Sequence, residues 1–238
     1  MCGRYALGRH RPEKAEQAMR DLIERKWPDL VPRYNVSPGT RIPVIRVTAE
    51  AGAELTELNW GLLPYWSKEP RVKYNTINAM AETVEAKASY RVPFRKRRCL
   101  IPADGWYEWQ PLPSGKQKWW FRLADDTDLC FAGLWDRWRS GDQVVETCSI
   151  IVSDAAESIR HAHDRMPVII DPADYRYWLD PGVDDVPALK ELLKPSAAQL
   201  VAQPVANPKH PRDDDATLIE PAAPVPFLPP QTSEGSLI

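Results

Sequence analysis

The strongest constraint on the fold is a succession of short β-prone runs punctuated by turn residues. RIPVIRVT (41–48) and ELTELNW (54–60) flank the turn-forming EAGA, and KQKWWFRLA, DLCFAGLW and VVETCSIIVS follow, joined by loops rich in Gly, Ser and Asp. Strands outnumber long helices, and the two do not alternate as in a parallel sheet, so antiparallel pairing is expected. Helices accompany them. PEKAEQAMRDLIERKW, Pro12 to Trp27, sets Ala15, Met19, Leu22 and Ile23 at helical spacing behind a proline suited to a first turn. DPADYRYWLD and VPALKELLK predict two short helices, the first with Asp171 as N-cap and Pro172 behind it. There is no internal repeat, and the class is α+β.

A chain of 238 residues suits one compact domain. After about Pro204 the composition turns proline-rich and apolar periodicity stops. The expected domain therefore spans 1–212, with ANPKHP still packed on it, and 213–238 is expected to be a disordered tail. No apolar run approaches the roughly 20 residues of a bilayer span, and the N-terminus lacks the apolar stretch of a secretion signal. A cytoplasmic protein with no membrane partner is expected. Cys2, Cys99, Cys130 and Cys148 are scattered, with no C-x-x-C pair and no histidine at metal-ligand spacing. Neither a disulfide framework, a metal site nor a cofactor is expected. Cys99, Cys130 and Cys148 lie in apolar runs, where a thiol behaves as a small buried hydrophobe.

Cys2 stands outside such a run. Directly behind Met1 in MCGRY, it becomes the first residue once Met1 is removed, and then carries an α-amine and a thiol on adjacent carbons. Taken alone, position 2 reads as a frayed end. The formal charge of −2 does not advertise a nucleic-acid binder, but the signs are segregated. Arg71, Lys73, Lys87, Arg91, Arg95, Lys96, Arg97 and Arg98 share their stretch with only Glu82 and Glu85, while acid gathers in DDTD and RDDDAT. Charge alone leaves FRKRRCLIP balanced between a phosphate-binding surface and a solvated turn. Most of the ten tryptophans suit a core; Trp60 and Trp66, in NWGLLPYW, are the candidates for exposure and for stacking nucleobases.

Polar residues inside aromatic or apolar runs carry more information. Glu108, between Tyr107 and Trp109 in GWYEW, is placed where desolvation favours the neutral, proton-donating carboxyl. His163, before the strand-like segment MPVII, is suited to moving protons near neutral pH. Asn78 in NTINAMAET offers an amide that can orient a substrate or an amine.

MCGRY, RYNVSP, WGLLPYW, INAMAET, RCLIPADGWYEW, FAGLW and HDRMPV occur in this order, and the series resembles that of the SRAP family, the SOS-response-associated peptidases that include abasic-site-processing proteins. The resemblance runs from Cys2 to about Pro208. It implies a single compact α+β domain, monomeric, with a strand-rich, barrel-like antiparallel core, flanking helices and a groove for single-stranded DNA. It implies a covalent thiazolidine link between the N-terminal cysteine and an abasic deoxyribose, autocatalytic removal of Met1, and lyase-like activity. Position by position, the nucleophile falls on Cys2, the orienting amide on Asn78, the acid on Glu108 and the proton-transfer group on His163. Implied DNA contacts fall on Arg4, Trp60, Trp66, Arg71, Lys73 and Arg165.

Two departures accompany the resemblance. Family members usually carry an arginine two residues after the motif asparagine, where this chain has Met80, which cannot bind a phosphate; Arg71 or Lys73 would have to replace it. RYNVSPGT differs through Ser37 and an extra residue near Gly39, a change confined to a loop. Two rival functions stay open: a cysteine peptidase, and a passive single-strand binder that performs no chemistry.

Overall fold

The computed structural model describes residues 2–8, 31–71, 76–113, 115–126, 129–195 and 198–224. The helix expected over Pro12–Trp27 lies outside them. The strands in chain order are β1 (Tyr5–Leu7), β2 (Arg33–Val36), β3 (Arg41–Thr48), β4 (Gly52–Trp60), β5 (Asn78–Met80), β6 (Arg98–Ala103), β7 (Gly105–Leu112), β8 (Gly115–Leu123), β9 (Leu129–Ser140), β10 (Gln143–Asp154), β11 (Arg165–Pro167), β12 (Ile169–Ile170) and β13 (Leu200–Val205). Each strand read from the sequence is present, β3 over the same residues. Among the described residues no helix is long and apolar enough to cross a membrane.

One sheet runs β13-β8-β7-β1-β2 and the other β11-β10-β4-β3-β6-β9-β12, with β5 added on β10. Because β9 also pairs with β10, from Gly133↔Ile150 to Ser140↔Gln143, strands β10, β4, β3, β6 and β9 close into a five-stranded barrel. The expected antiparallel pairing holds around the barrel except at one step. A closed ring with an odd number of strands cannot alternate direction throughout, so one neighbouring pair must run parallel. Here that pair is β4 and β10, in register Thr147↔Asn59 and Cys148↔Trp60. Farther along β10, β5 takes over the same edge, also parallel, with Ile150↔Asn78 and Val152↔Met80.

Alternate residues of the barrel strands face two cores. Ile45 and Leu100 meet Phe94, Trp178 and Leu189 from the helices Arg91–Lys96, Tyr175–Leu179 and Val186–Glu191. Val44, Ile101 and Phe131 meet Tyr5, Trp106 and Phe121 from the five-stranded sheet. Tyr5 sets its ring edge-on to Phe131 at 5.8 Å, and Trp106 stacks on Phe121 at 5.4 Å. The chain passes from barrel to sheet through Asp104 and Gly105; a Cβ at Gly105 would lie 2.2 Å from the Phe121 carbonyl oxygen, so no larger residue fits. Cys99, Cys130 and Cys148 are free thiols buried in these cores, as expected. Asp171 caps its short helix by accepting from the Ala173 N–H at 2.9 Å.

Two connections frame the site. The loop between β4 and β5 leaves through a clasp: Gly61 N–H donates to the Cys148 carbonyl (2.8 Å), Leu62 N–H to the Thr76 carbonyl (3.1 Å), and the Trp60 indole N–H to the Ile77 carbonyl (2.9 Å). The segment Asp213–Pro224, for which a disordered tail was expected, lies on the domain. Asp214 accepts from the Tyr34 and Asn35 N–H groups, and Val205 bridges Pro221. Residues 225–238 lie outside the described residues.

Candidate active site

Cys2 is not a frayed end. Its side chain is fully buried in the core shared by barrel and sheet, and its carbonyl oxygen accepts a 3.0 Å hydrogen bond from Asn78 Nδ2. Burial pushes the thiol well above its usual value, and the negative charge of Glu108 adds to this; the amino-terminal charge and a hydrogen bond from the Arg4 backbone act the other way. In this form of the chain the sulfur is a neutral thiol.

Asn78 sits at the start of β5, held by its backbone register with Ile150 and by the Tyr90 hydroxyl, which donates to its carbonyl at 3.0 Å. While Nδ2 holds Cys2, Oδ1 is buried with no hydrogen-bond partner among the described residues. A buried acceptor left open is costly unless something else fills it.

Glu108 lies on β7, directly across from Trp119 of β8, and burial pushes its carboxyl up to about 7; the amino-terminal charge opposes this and Asp164 reinforces it. The sequence pointed to the right outcome through the wrong neighbours. Side chains alternate along a strand, so Tyr107 and Trp109 turn to the opposite face, where Tyr107 packs with Trp120 and Val205. Glu108 shares its face with Trp106 and is dried by that core.

His163 occupies the turn before β11 and is half-buried. Its Nδ1 lies 3.0 Å from the Arg165 N–H and 2.8 Å from an Asp164 carboxylate oxygen, and one nitrogen cannot accept from the first while donating to the second. Burial and then the amino-terminal charge lower the pKa of the ring, and Asp164 is largely exposed, so we assign the neutral ring accepting from Arg165, with the proton on Nε2. Asn78 bonds Cys2 directly, the Glu108 charge acts on the Cys2 thiol, and Asp164, against His163 Nδ1, acts on Glu108; the four expected residues lie in one neighbourhood around Cys2.

The expected DNA contacts divide. Trp66 is 53% exposed, whereas Trp60 is 1% exposed and serves the loop clasp, which corrects its reading as a stacking surface. Arg71 is exposed, and Lys73 lies outside the described residues. Arg165 pairs with Glu82 (2.5 Å) and Asp154 (3.1 Å). Arg4 is partly buried, donating to the Gly3 carbonyl at 3.0 Å. Met80 is half-buried and packs on the core, as an apolar residue should.

The FRKRR run is a structural device rather than an open phosphate surface. Arg95 and Lys96 pair with Asp184, Arg97 pairs with Asp136 at 2.9 Å, and Arg98 is buried, donating to the carbonyls of Phe94, Arg95, Trp178, Asp180 and Val183. One surface aromatic escaped the sequence reading. Tyr65, 49% exposed beside Trp66, has the Arg97 guanidinium 5.8 Å from its ring centre. Its place in WGLLPYW was the available signal. No cluster of three or more His, Cys, Asp or Glu able to hold a metal occurs among the described residues.

A family model for SOS response associated peptidase (SRAP) matches residues 1–208. Abasic site processing protein YoqW of Bacillus subtilis (strain 168) is 36% identical over 224 residues, covering 92% of this chain and 99% of that protein. Abasic site processing protein HMCES of Xenopus tropicalis is 33% identical, covering 82% of this chain and 69% of its own. The crystal structure of a Bacteroides thetaiotaomicron protein superposes with a TM-score of 0.77 at 28% identity, covering 93% of this chain and all of the other. A phage-related protein of Bordetella bronchiseptica superposes with a TM-score of 0.65 at 33% identity, over 87% of this chain and 95% of its own. The N-terminal cysteine, its asparagine anchor and the neighbouring carboxyl and imidazole thus sit in a chain that belongs to the SRAP family.

Proposed function

We propose that the protein processes abasic sites in single-stranded DNA by forming a covalent link through Cys2. The observation that carries this reading is the anchored, buried Cys2 beside a carboxyl group that keeps its proton to about pH 7. Hydrolysis of the Met1–Cys2 peptide bond, consuming one water, frees the α-amine. An α-amine with an ordinary pKa of about 7.7–8.0 is partly neutral at pH 7 and adds to the aldehyde of the ring-opened sugar. The resulting hydroxyl leaves as water with a proton from Glu108, giving an imine. The Cys2 thiol then adds across the C=N bond, sulfur to carbon and proton to nitrogen, and closes a five-membered thiazolidine. His163, neutral and with a proton on Nε2, relays protons during ring opening and dehydration. Asn78 fixes the Cys2 backbone through Nδ2 and presents Oδ1 to the amine or a sugar hydroxyl.

The reading is supported by the names of the curated relatives, which are abasic site processing proteins. Incubation with abasic and intact oligonucleotides tests it. A denaturation-resistant band with the abasic strand alone is expected. Loss of Met1 without a band would leave a self-cleaving peptidase, and reversible binding without a band a passive binder. Cys2→Ser keeps the amine and should yield an imine that borohydride traps; a stable adduct without borohydride would refute closure through sulfur.

A further inference from the structure

An open groove of about 630 Å³ begins at Gly3, one residue past Cys2, and runs to the C-terminal strap along the face of the five-stranded sheet opposite Glu108. Its walls carry Arg4, Lys118 and Lys209 together with Trp109, Asn35 and Asn207, and no carboxylate among the described residues lines it. Asn207 is held by the Trp109 indole N–H at 3.0 Å, and Asn35 holds the strap by donating to the Pro211 and Asp213 carbonyls. Both walls are therefore preformed.

Lys118 is the anomaly in this groove. It sits in mid-strand on β8, paired with Trp109 on one side and Val205 on the other, and is 2% exposed. Its ammonium lies 3.8 Å from the centre of the Tyr107 ring and makes no hydrogen bond or ion pair among the described residues. A ring face offsets part of the cost of burying a cation but supplies no negative charge. The nearest acidic run, RDDDAT, is turned away: Asp213 accepts from the His210 N–H, Asp214 from Tyr34 and Asn35, and Asp215 from Thr217. Arg4 spends one nitrogen on the Gly3 carbonyl, and a guanidinium has donors to spare. Three cations thus converge on a space that no acid among the described residues fills.

We propose that this groove binds a backbone phosphate of the DNA strand whose abasic sugar reacts at Cys2. The inference rests on the abasic-site reading for the identity of the strand, and on the groove itself for the anion. A tetrahedral phosphate matches the guanidinium fork of Arg4, with Lys118 and Lys209 as point charges. The strap then does more than close the fold: through Lys209 it becomes part of the DNA track.

The test measures binding of an intact single-stranded oligonucleotide, which needs no chemistry at Cys2, over a range of salt concentrations. Lys118→Met keeps the stem over Tyr107 and removes the charge. It should weaken binding severalfold and reduce the log–log salt slope by about 0.7. Lys118→Arg should restore the slope, and Lys209→Ala, on the exposed strap, should reduce it independently. Melting temperatures check folding; if Lys118→Met fails to fold, Lys209→Ala decides. Unchanged slopes would overturn the proposal even if wild type crosslinks abasic DNA, whereas absence of a crosslink with reduced slopes would sink only the chemistry. Inorganic phosphate that raises the melting temperature of wild type but not of the variants, with DNA slopes unchanged, would assign the groove to a free anion and overturn the DNA track.

Discussion

The Asn78 side-chain amide donates to the carbonyl of Cys2. It therefore grips the Cys2–Gly3 peptide, which persists when the Met1–Cys2 bond is cut. On the proposed reading, one anchor would serve the chain before and after loss of Met1, holding the cysteine backbone while its amine becomes free.

Asn78 is accordingly a positioning residue, and its removal should divide rate from affinity. Asn78→Ala should slow single-turnover crosslinking by about 10²-fold, the scale of a 1 Å misplacement, while the DNA concentration at half-saturation changes little. Asn78→Asp should do no better, since a carboxylate cannot donate to the carbonyl. If both parameters shift together, or only the melting temperature falls, the residue is a structural partner alone.

Glu108 links stability to pH. Its carboxyl keeps its proton to about pH 7 in the folded chain, against 4.5 as the ordinary value. Between these values the folded state holds more protons than the unfolded state. The stabilisation is fully present below about pH 4.5 and is lost as pH rises through 7, a change of about 3 kcal/mol. Glu108→Gln should therefore melt higher than wild type at pH 8 and about level with it at pH 4.5. The same substitution should slow crosslinking by about 10²–10⁴-fold and remove the alkaline limb of its pH profile. Persistence of that limb near pH 7 would take the proton-donor role from Glu108.

The two tryptophans of NWGLLPYW should behave oppositely. Trp66→Ala should leave stability nearly unchanged and weaken single-strand binding by about 1–3 kcal/mol, the value of one base stacked on an aromatic ring. Trp60→Ala should cost about 3–5 kcal/mol of stability, because it empties a core position and opens the loop clasp. Equal losses of DNA affinity at matched folded fraction would refute the assignment.

Arg98→Met should destabilise by about 3–5 kcal/mol, since the carbonyls bonded by its guanidinium lose a charged donor inside the protein. The salt slope of DNA binding should stay at the wild-type value. A slope lowered by about 0.7 would return Arg98 to the DNA surface.

The strands were legible because they alternate or run apolar between turn residues, and Asp171 because a cap is a local device. The parallel step between β4 and β10 was not, because it follows from the parity of a ring whose closure no local pattern announces. The candidate site residues are named from motifs, but the sequence reads Trp60 as exposed and leaves the FRKRR run undecided. Exposure and pairing depend on partners distant in sequence: Ile77 for Trp60, Asp136 for Arg97, and Asp184 for Arg95 and Lys96. Lys118 carried no signal, since a lysine in KQKWWF looks like any solvated strand residue until β13 and Trp109 cover it.

The clasp beneath the β4–β5 loop has a consequence for how such proteins can diversify. Trp66 and Arg71 hang from a neck tied to β10 at Cys148 and closed by Leu62 and Thr76, while Asn78 begins only after that neck. Doubling the length of a closed loop costs only about 0.6 kcal/mol in chain entropy. If Trp66 and Arg71 contact DNA as proposed, insertions there would change which nucleic acid is gripped without displacing the asparagine that holds Cys2. On the proposed reading, the residues for recognition and those for reaction would sit on separable pieces of chain, so that a change in one need not disturb the other.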